Sequence, residues 1–331
     1  MGEAAMPHTT GNFGVEVHPG QRLRVYYNFT ADQFHNASNI LLTQELFFAD
    51  SSTQLTNTLS NNRLVLNYYQ QRVDVAYDLT KRFTLRGGFR YEWGDSNGPG
   101  SFLTPAPGID NGLLKRYVGS AGGTYRAGQK FTLTADLDAS NGIDTYFRTS
   151  LQDYQRFRSI ARYQVLPSLL FTASYNLLNN SNPAPAVNYD FESSQEGASV
   201  FWTPKGGNRV SVLAEYTHSS IRSDISFLDP TYLAPAQSVY RDYAHTGTAV
   251  VNLTPFKLPA ASPTITFGGS FFTSTGSRPT SYYQPLGRFL IPVHRNVSWY
   301  AEWRWYGLSQ DYFIYEGFRT HQFITGLRVS L

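Results

Sequence analysis

The sequence predicts an all-β fold, and three observations carry that prediction. Apolar and polar side chains alternate at period two, the breaks are filled with Pro, Gly and Asn, and no apolar run is long enough for a membrane helix. The 331 residues include 23 Tyr, 23 Phe and 5 Trp, yet only 15% are charged and mean hydropathy is −0.33. Disorder is excluded, because it needs few aromatics and high charge. Apolar residues diluted by alternation leave two classes, soluble all-β domains and transmembrane β-barrels.

The strands come in hairpins. Gly11–Val17 turns at His18-Pro19-Gly20 and returns through Leu23, Val25, Tyr27 and Phe29. Val73, Val75, Tyr77 and Leu79 lead through Thr80-Lys81 into Phe83, Leu85, Gly87, Phe89, Tyr91 and Trp93. Tyr117–Tyr125 turns at Ala127-Gly128-Gln129 and returns as Phe131, Leu133, Ala135 and Leu137. Phe157 to Val165 turns at Pro167 toward Leu169, Phe171, Ala173, Tyr175 and Leu177. Ala198, Val200 and Trp202 precede Pro204-Lys205-Gly206-Gly207-Asn208, then Val210, Val212, Ala214 and Tyr216. His245 to Leu253 crosses a Pro-rich turn to Ile265, Phe267, Gly269 and Phe271. Phe289, Ile291 and Val293 turn at His294-Arg295-Asn296 into Val297, Trp299, Ala301, Trp303 and Trp305, and a last strand runs through Phe323, Thr325, Leu327 and Val329 to Leu331.

Two features separate this pattern from a soluble sandwich or β-solenoid. One set of turns is short, while the other holds long Gly/Pro/Asn/Ser segments such as Gly94–Gly112, Asn179–Asn188 and Asp224–Ala236. Many strands run to about 9–14 residues, which suits a tilted membrane-spanning strand. Short turns on one side and long loops on the other describe a transmembrane antiparallel up-and-down β-barrel, here of about 14–16 strands, in a bacterial outer membrane. The segment Ala31–Asn62, with Ile40-Leu41-Leu42 and Leu46-Phe47-Phe48, reads either as a loop folding inward to narrow the pore or as a surface flap.

Alternation assigns the faces. Phe83, Phe131, Trp202 and Trp299 lie near short turns, and Trp93, Trp305 and Tyr315 near long loops, so they read as aromatic girdles at the two membrane interfaces. The other reading of these rings is packing within a core. The opposite face carries Arg86, Arg90, Arg116, Arg126, Arg156, Arg158, Arg162, Arg209, Arg288, Arg304 and Arg328 with Glu92, Glu215 and Glu302, and Asp136 and Asp138 add carboxylates. So many charges require water, and in a barrel that face is the lumen, where arginine excess favours anions. Cross-strand pairing would instead leave a neutral wall.

The seven such hairpins and the closing strand make an odd number, which puts the first strand's start on the long-loop side, whereas single-chain bacterial barrels have even numbers. The expectation is therefore that a signal peptide and at least one strand precede Met1, with residues 1–10 a tail and 11–331 the barrel. No cysteine is available for disulfides, zinc or nucleophilic chemistry, and a net charge of +3 without basic runs excludes a nucleic-acid partner. His8, His18, His35, His218, His245, His294 and His321 form no metal-ligand spacing, so no metal or other cofactor is expected. His218-Ser219-Ser220 with Asp224 is the one hydrolase candidate, but neighbouring residues of a strand point to opposite faces. Gly123–Lys130 lacks the Gly-Lys-Ser/Thr ending and following helix of a phosphate loop.

The terminal strand His321-Gln322-Phe323-Ile324-Thr325-Gly326-Leu327-Arg328-Val329-Ser330-Leu331 resembles the C-terminal assembly signal of Gram-negative outer-membrane β-barrel proteins. Leu331 departs from the usual terminal Phe. The resemblance implies lipid and lipopolysaccharide as surroundings and the barrel-assembly machinery as a partner. In general character the chain is also similar to porin-like sheaths around multihaem cytochromes, though it lacks their N-terminal cysteine pair. The leading expectation is thus a porin-like channel, not an enzyme, for passive diffusion of small polar or anionic solutes. The alternatives are a sheath enclosing a partner such as a cytochrome and, further behind, a barrel hydrolase.

Overall fold

The computed structural model describes residues 2–47, 52–99, 109–147, 149–183, 187–204, 209–229, 234–256, 262–294, 296–310 and 317–329. The alternating segments form one antiparallel sheet of sixteen strands. In chain order these are β1 (Gly2–Ala5), β2 (His8–Val17), β3 (Leu23–Phe47), β4 (Thr53–Thr80), β5 (Phe83–Pro99), β6 (Ile109–Ala127), β7 (Phe131–Asp144) and β8 (Asp153–Leu166). They continue as β9 (Leu169–Asn182), β10 (Val187–Trp202), β11 (Val210–Leu228), β12 (Pro235–Leu253), β13 (Thr264–Gly276), β14 (Thr280–His294), β15 (Val297–Gln310) and β16 (Phe318–Val329).

Strands β1 and β2 both pair with β3, one beyond the other, so they are two pieces of a single edge interrupted at Met6-Pro7, where proline supplies no ladder donor. The sheet is therefore fifteen strands wide. From β3 onward each strand pairs with the next, the meander that short hairpin turns impose. Residues 2–10 belong to this sheet and are not a tail.

The ladders run well past the expected strand ends. Strands β3 and β4 pair continuously from Leu23↔Tyr77 to Phe47↔Thr53, so residues 31–47 and 53–62 are not an inward loop but two arms of a long β-ribbon. Likewise β5 and β6 pair to Pro99↔Ile109, so most of Gly94–Gly112 is strand. Polar composition misled the loop boundaries, because strands above a membrane need no apolar face.

The two faces differ as lipid and water would require. The polar residues Asn28, Thr84, Glu92, Thr124, Asp138, Asn180, Asn182, Asp242, Ser274 and Glu302 are buried, whereas Phe89, Phe171, Phe267, Phe289 and Trp299 are exposed. Only Leu114, Val118, Tyr154 and Ala244 are buried hydrophobic residues among those described, too few for a globular core. Register places the buried polar set on one face, and Arg90 of β5 reaches Tyr154 of β8 on that side, which identifies it as the concave face. On the convex face Trp93 stacks with Tyr91 at 4.9 Å and Tyr69 at 5.6 Å, and Tyr91 with Tyr117 at 5.0 Å, forming the aromatic band toward the long-loop rim.

Candidate functional site

The concave wall of β5–β8 carries arginine at successive levels because register aligns the even-numbered residues of all four strands. From the long-loop rim downward, the cross-strand rows hold Glu92 with Arg116, then Arg90, then Asp138 with Arg156, then Arg86, Asp136 and Arg158, and finally Arg126 with Arg162. A column of guanidinium groups thus runs from one rim toward the other.

Most of these arginines are paired, in a particular stoichiometry. Glu92 takes Arg90 at 2.6 Å and also Arg116, whose Nε donates at 2.7 Å. Asp138 takes Arg156 at 2.5 Å and Arg158 at 3.4 Å. Across the sheet Glu302 takes Arg288 at 2.5 Å and also Arg304. Each carboxylate serves two guanidiniums, so each triad keeps one positive charge. The Asp138 and Glu302 side chains are only 10% and 5% exposed, against 49% for Arg158 and 47% for Arg288, whereas Arg90 and Arg116 over Glu92 are themselves only 21% and 15% exposed. In the Asp138 and Glu302 triads the negative partner lies against the wall and the positive one faces the space, so pairing there does not neutralise what a passing solute meets. Burial of the carboxylates is tolerated because each accepts several charge-assisted hydrogen bonds.

Tyr154 organises the upper column. Its ring lies between Arg116 and Arg156, with the two guanidinium carbons 5.5 and 5.8 Å from its centroid, and its hydroxyl accepts from Arg90 at 2.7 Å. Lower down, Arg24, Arg72, Arg86, Arg126 and Arg158 line a concave pocket of about 540 Å³ together with Asp74 and Asp136.

The segment between β7 and β8, residues 145–147 and 149–152, lies across this wall. Asn182, fully buried on β9, donates to Thr145 Oγ1 and the Ser150 carbonyl, both at 3.1 Å. The Asn180 side-chain oxygen accepts from Gln152 N at 2.8 Å, and Arg116 donates to the Leu151 carbonyl at 2.6 Å. At the other end Tyr146 donates to the carbonyl of Asn67 on β4. Room for Tyr146 comes from glycines: a Cβ at Gly94 would sit 1.9 Å from both the Asn67 carbonyl oxygen and the Tyr146 hydroxyl, and one at Gly112 would sit 3.2 Å from the Tyr146 carbonyl oxygen. The inward segment is therefore formed by 145–147 and 149–152, not by the 31–62 stretch.

Of the residues expected to line a lumen, Arg86, Arg90, Glu92, Arg116, Arg126, Arg156, Arg158, Arg162, Glu215, Arg288, Glu302, Arg304 and Arg328 all fall on the concave face by register. Arg209 stands apart, in the turn before β11, where its carbonyl accepts from Thr254 N. Phe83, Trp93, Phe131, Trp202, Trp299 and Trp305 share the convex register, whereas Tyr315 lies outside the described residues. His218 and Ser219 do take opposite faces; His218 pairs with Glu196 at 2.8 Å on the convex side. Among the described residues no cluster of His, Asp and Glu could hold a metal ion.

The alcaligin outer-membrane receptor FauA of Bordetella pertussis superposes with a TM-score of 0.51 at 12% identity, over 98% of this chain and 67% of that one. This is the fold of an outer-membrane β-barrel. The ferric-catecholate import receptor Fiu of E. coli K12 is 11% identical, with a TM-score of 0.46 over 98% of this chain; the chain spans 62% of Fiu's length. An anion-selective porin from Comamonas acidovorans is 9% identical, with a TM-score of 0.32 over 98% of each chain. No family model and no curated protein matches the sequence. The barrel fold agrees with the exposed apolar face and the buried, charged one.

Proposed function

We propose that the chain forms the wall of a porin-like channel through which small polar solutes diffuse passively, with preference for anions. The carrying observation is the triad geometry of Glu92, Asp138 and Glu302, each shared by two arginines of the concave face, with Arg158 and Arg288 the exposed members. Water fills such a face, and its residual positive charge lowers the electrostatic barrier to anions. The segment between β7 and β8, held over the arginine column through Tyr146 and the Leu151 carbonyl, narrows the path at the long-loop side. Cover over β4–β9 also favours a solute pathway over a sheath, since a protein in the lumen needs that wall clear. In this reading lipid and lipopolysaccharide meet the convex belt, and β16 is the strand presented to the assembly machinery.

The test is the reversal potential of purified protein in planar bilayers across a KCl gradient. Anion preference supports the proposal, and clear cation preference overturns it.

A further inference from the structure

In the β5–β8 wall the arginines continue lower than the carboxylates do. The concave residues of β7 descend from the long-loop side as Asp138, Asp136, Thr134 and Thr132. Each aspartate sits among arginines: Asp138 takes Arg156 and Arg158, and Asp136 takes Arg86 at 2.7 Å. Two rows below Asp136, register sets Arg126 of β6 and Arg162 of β8 on either side of Thr132. Where the upper rows place a carboxylate on β7, this row places a hydroxyl.

Arg126 and Arg162 are both exposed, and among the described residues neither forms an ion pair. Among those residues the Arg126 guanidinium bonds only the neutral Thr84 hydroxyl, at 3.2 Å, and it lines the concave pocket beside Arg86 and Arg158. The next carboxylate along the row is Glu215 on β11, beyond Thr172 and Ser199. Facing Cα atoms on β6 and β8 stand two strand spacings apart, about 10 Å. The wall itself shows that an arginine bridges such a gap, since Arg86 on β5 reaches over Gly122 to Asp136 on β7. Arg126 and Arg162 can therefore converge on one group held between them above Thr132.

We propose that Arg126, Arg162 and the Thr132 hydroxyl form a binding site, near the short-turn rim, for a compact oxyanion: a carboxylate or phosphate group carried by the solute. The solute's oxygens take the role that Asp136 and Asp138 play higher in the wall, accepting from both guanidiniums and from the hydroxyl. A guanidinium fork donates two parallel hydrogen bonds, which paired oxygens accept and a spherical halide does not, so the site prefers oxyanions to chloride. This inference deepens the channel reading and rests on its assignment of the concave face to the lumen, but it makes no use of selectivity in KCl.

The experiment titrates inorganic phosphate and, separately, acetate into the 331-residue chain refolded in detergent micelles at constant KCl, and reads the NMR line width of the probe. The expected result is saturable broadening of at least one probe by the wild type. In Arg126→Gln/Arg162→Gln the half-saturating concentration should rise about tenfold or more. Thr132→Asp keeps both arginines but hands them a carboxylate of the wall, so it should weaken binding to a similar extent. No saturable binding of either probe, or equal half-saturation in the wild type and either variant, overturns the proposal. Binding as expected together with cation preference in KCl upholds the site and overturns only the selectivity of the channel.

Discussion

The Tyr146 hydroxyl donates to the main-chain carbonyl of Asn67, fastening the segment between β7 and β8 to β4 across the intervening β5 and β6. Burial pushes this phenol well above its ordinary value of 10.0, and the nearby Asp95 charge adds to the rise. Only the neutral phenol donates, so the anchor is fully present below pH 10 and weakens as pH climbs beyond it. Tyr146→Phe removes the donor at every pH, at a local cost of about 1 kcal/mol. Faster amide exchange across 145–152 at neutral pH, with wild type approaching it only in strong alkali, is the expected outcome. Unchanged exchange in the variant would count against the anchor.

Gly94 should behave as part of the same device. A methyl group there meets the Asn67 carbonyl oxygen and the Tyr146 hydroxyl at 1.9 Å, and the first of these belongs to the backbone ladder and cannot swing away. Gly94→Ala is therefore expected to expel Tyr146, raise single-channel conductance and speed exchange in the segment. Because both changes release one contact, the Gly94→Ala/Tyr146→Phe pair should open the channel no further than Gly94→Ala alone. Additive effects would separate the two residues.

How much of this was legible beforehand depends on what the sequence repeats. Alternation carried the hairpins and the faces, since period-two patterning is a direct image of a sheet with one apolar side; the arginines assigned to the lumen lie on the concave face by register, except Arg209 in the turn before β11. The inward segment was not legible. Tyr146, Asn180 and Asn182 act through contacts spanning β4 to β9, and no local pattern marks such a partner. The glycines at 94 and 112 read as loop residues because a polar strand above the membrane has the composition of a loop. The sharing of one carboxylate by two arginines also needed register, since Glu92 and Arg116 lie on different strands.

The triads separate structural from conductive charge. Glu92 is nearly buried beneath Arg90 and Arg116, so Glu92→Gln leaves two guanidiniums without their shared counter-charge. The penalty should fall below the ~3–5 kcal/mol of a fully buried broken pair, because the lumen is wet. Chemical denaturation of the refolded protein should show that loss, and anion preference should rise with the added positive charge. Arg158→Gln removes the exposed member of its triad while Arg156 still holds Asp138, so stability should hardly move and anion preference should fall. Equal selectivity in wild type and both variants would detach the column from permeation.

Strand β15 offers the sharpest contrast between faces. Ala301 lies on the convex side in register with Phe289 and Thr325, between Trp299 and Trp303, at the height of the apolar belt. Ala301→Arg puts a guanidinium into lipid there and should destabilise the folded protein by about 2–4 kcal/mol. Three residues on, Arg304 faces the lumen, where Arg288 continues to satisfy Glu302 when Arg304 is replaced. Arg304→Gln should therefore cost no more than about 1 kcal/mol while shifting conductance. Urea titrations in lipid vesicles measure both costs on one scale; similar values would mean that the two faces of β15 meet the same medium, and the lumen assignment would fail.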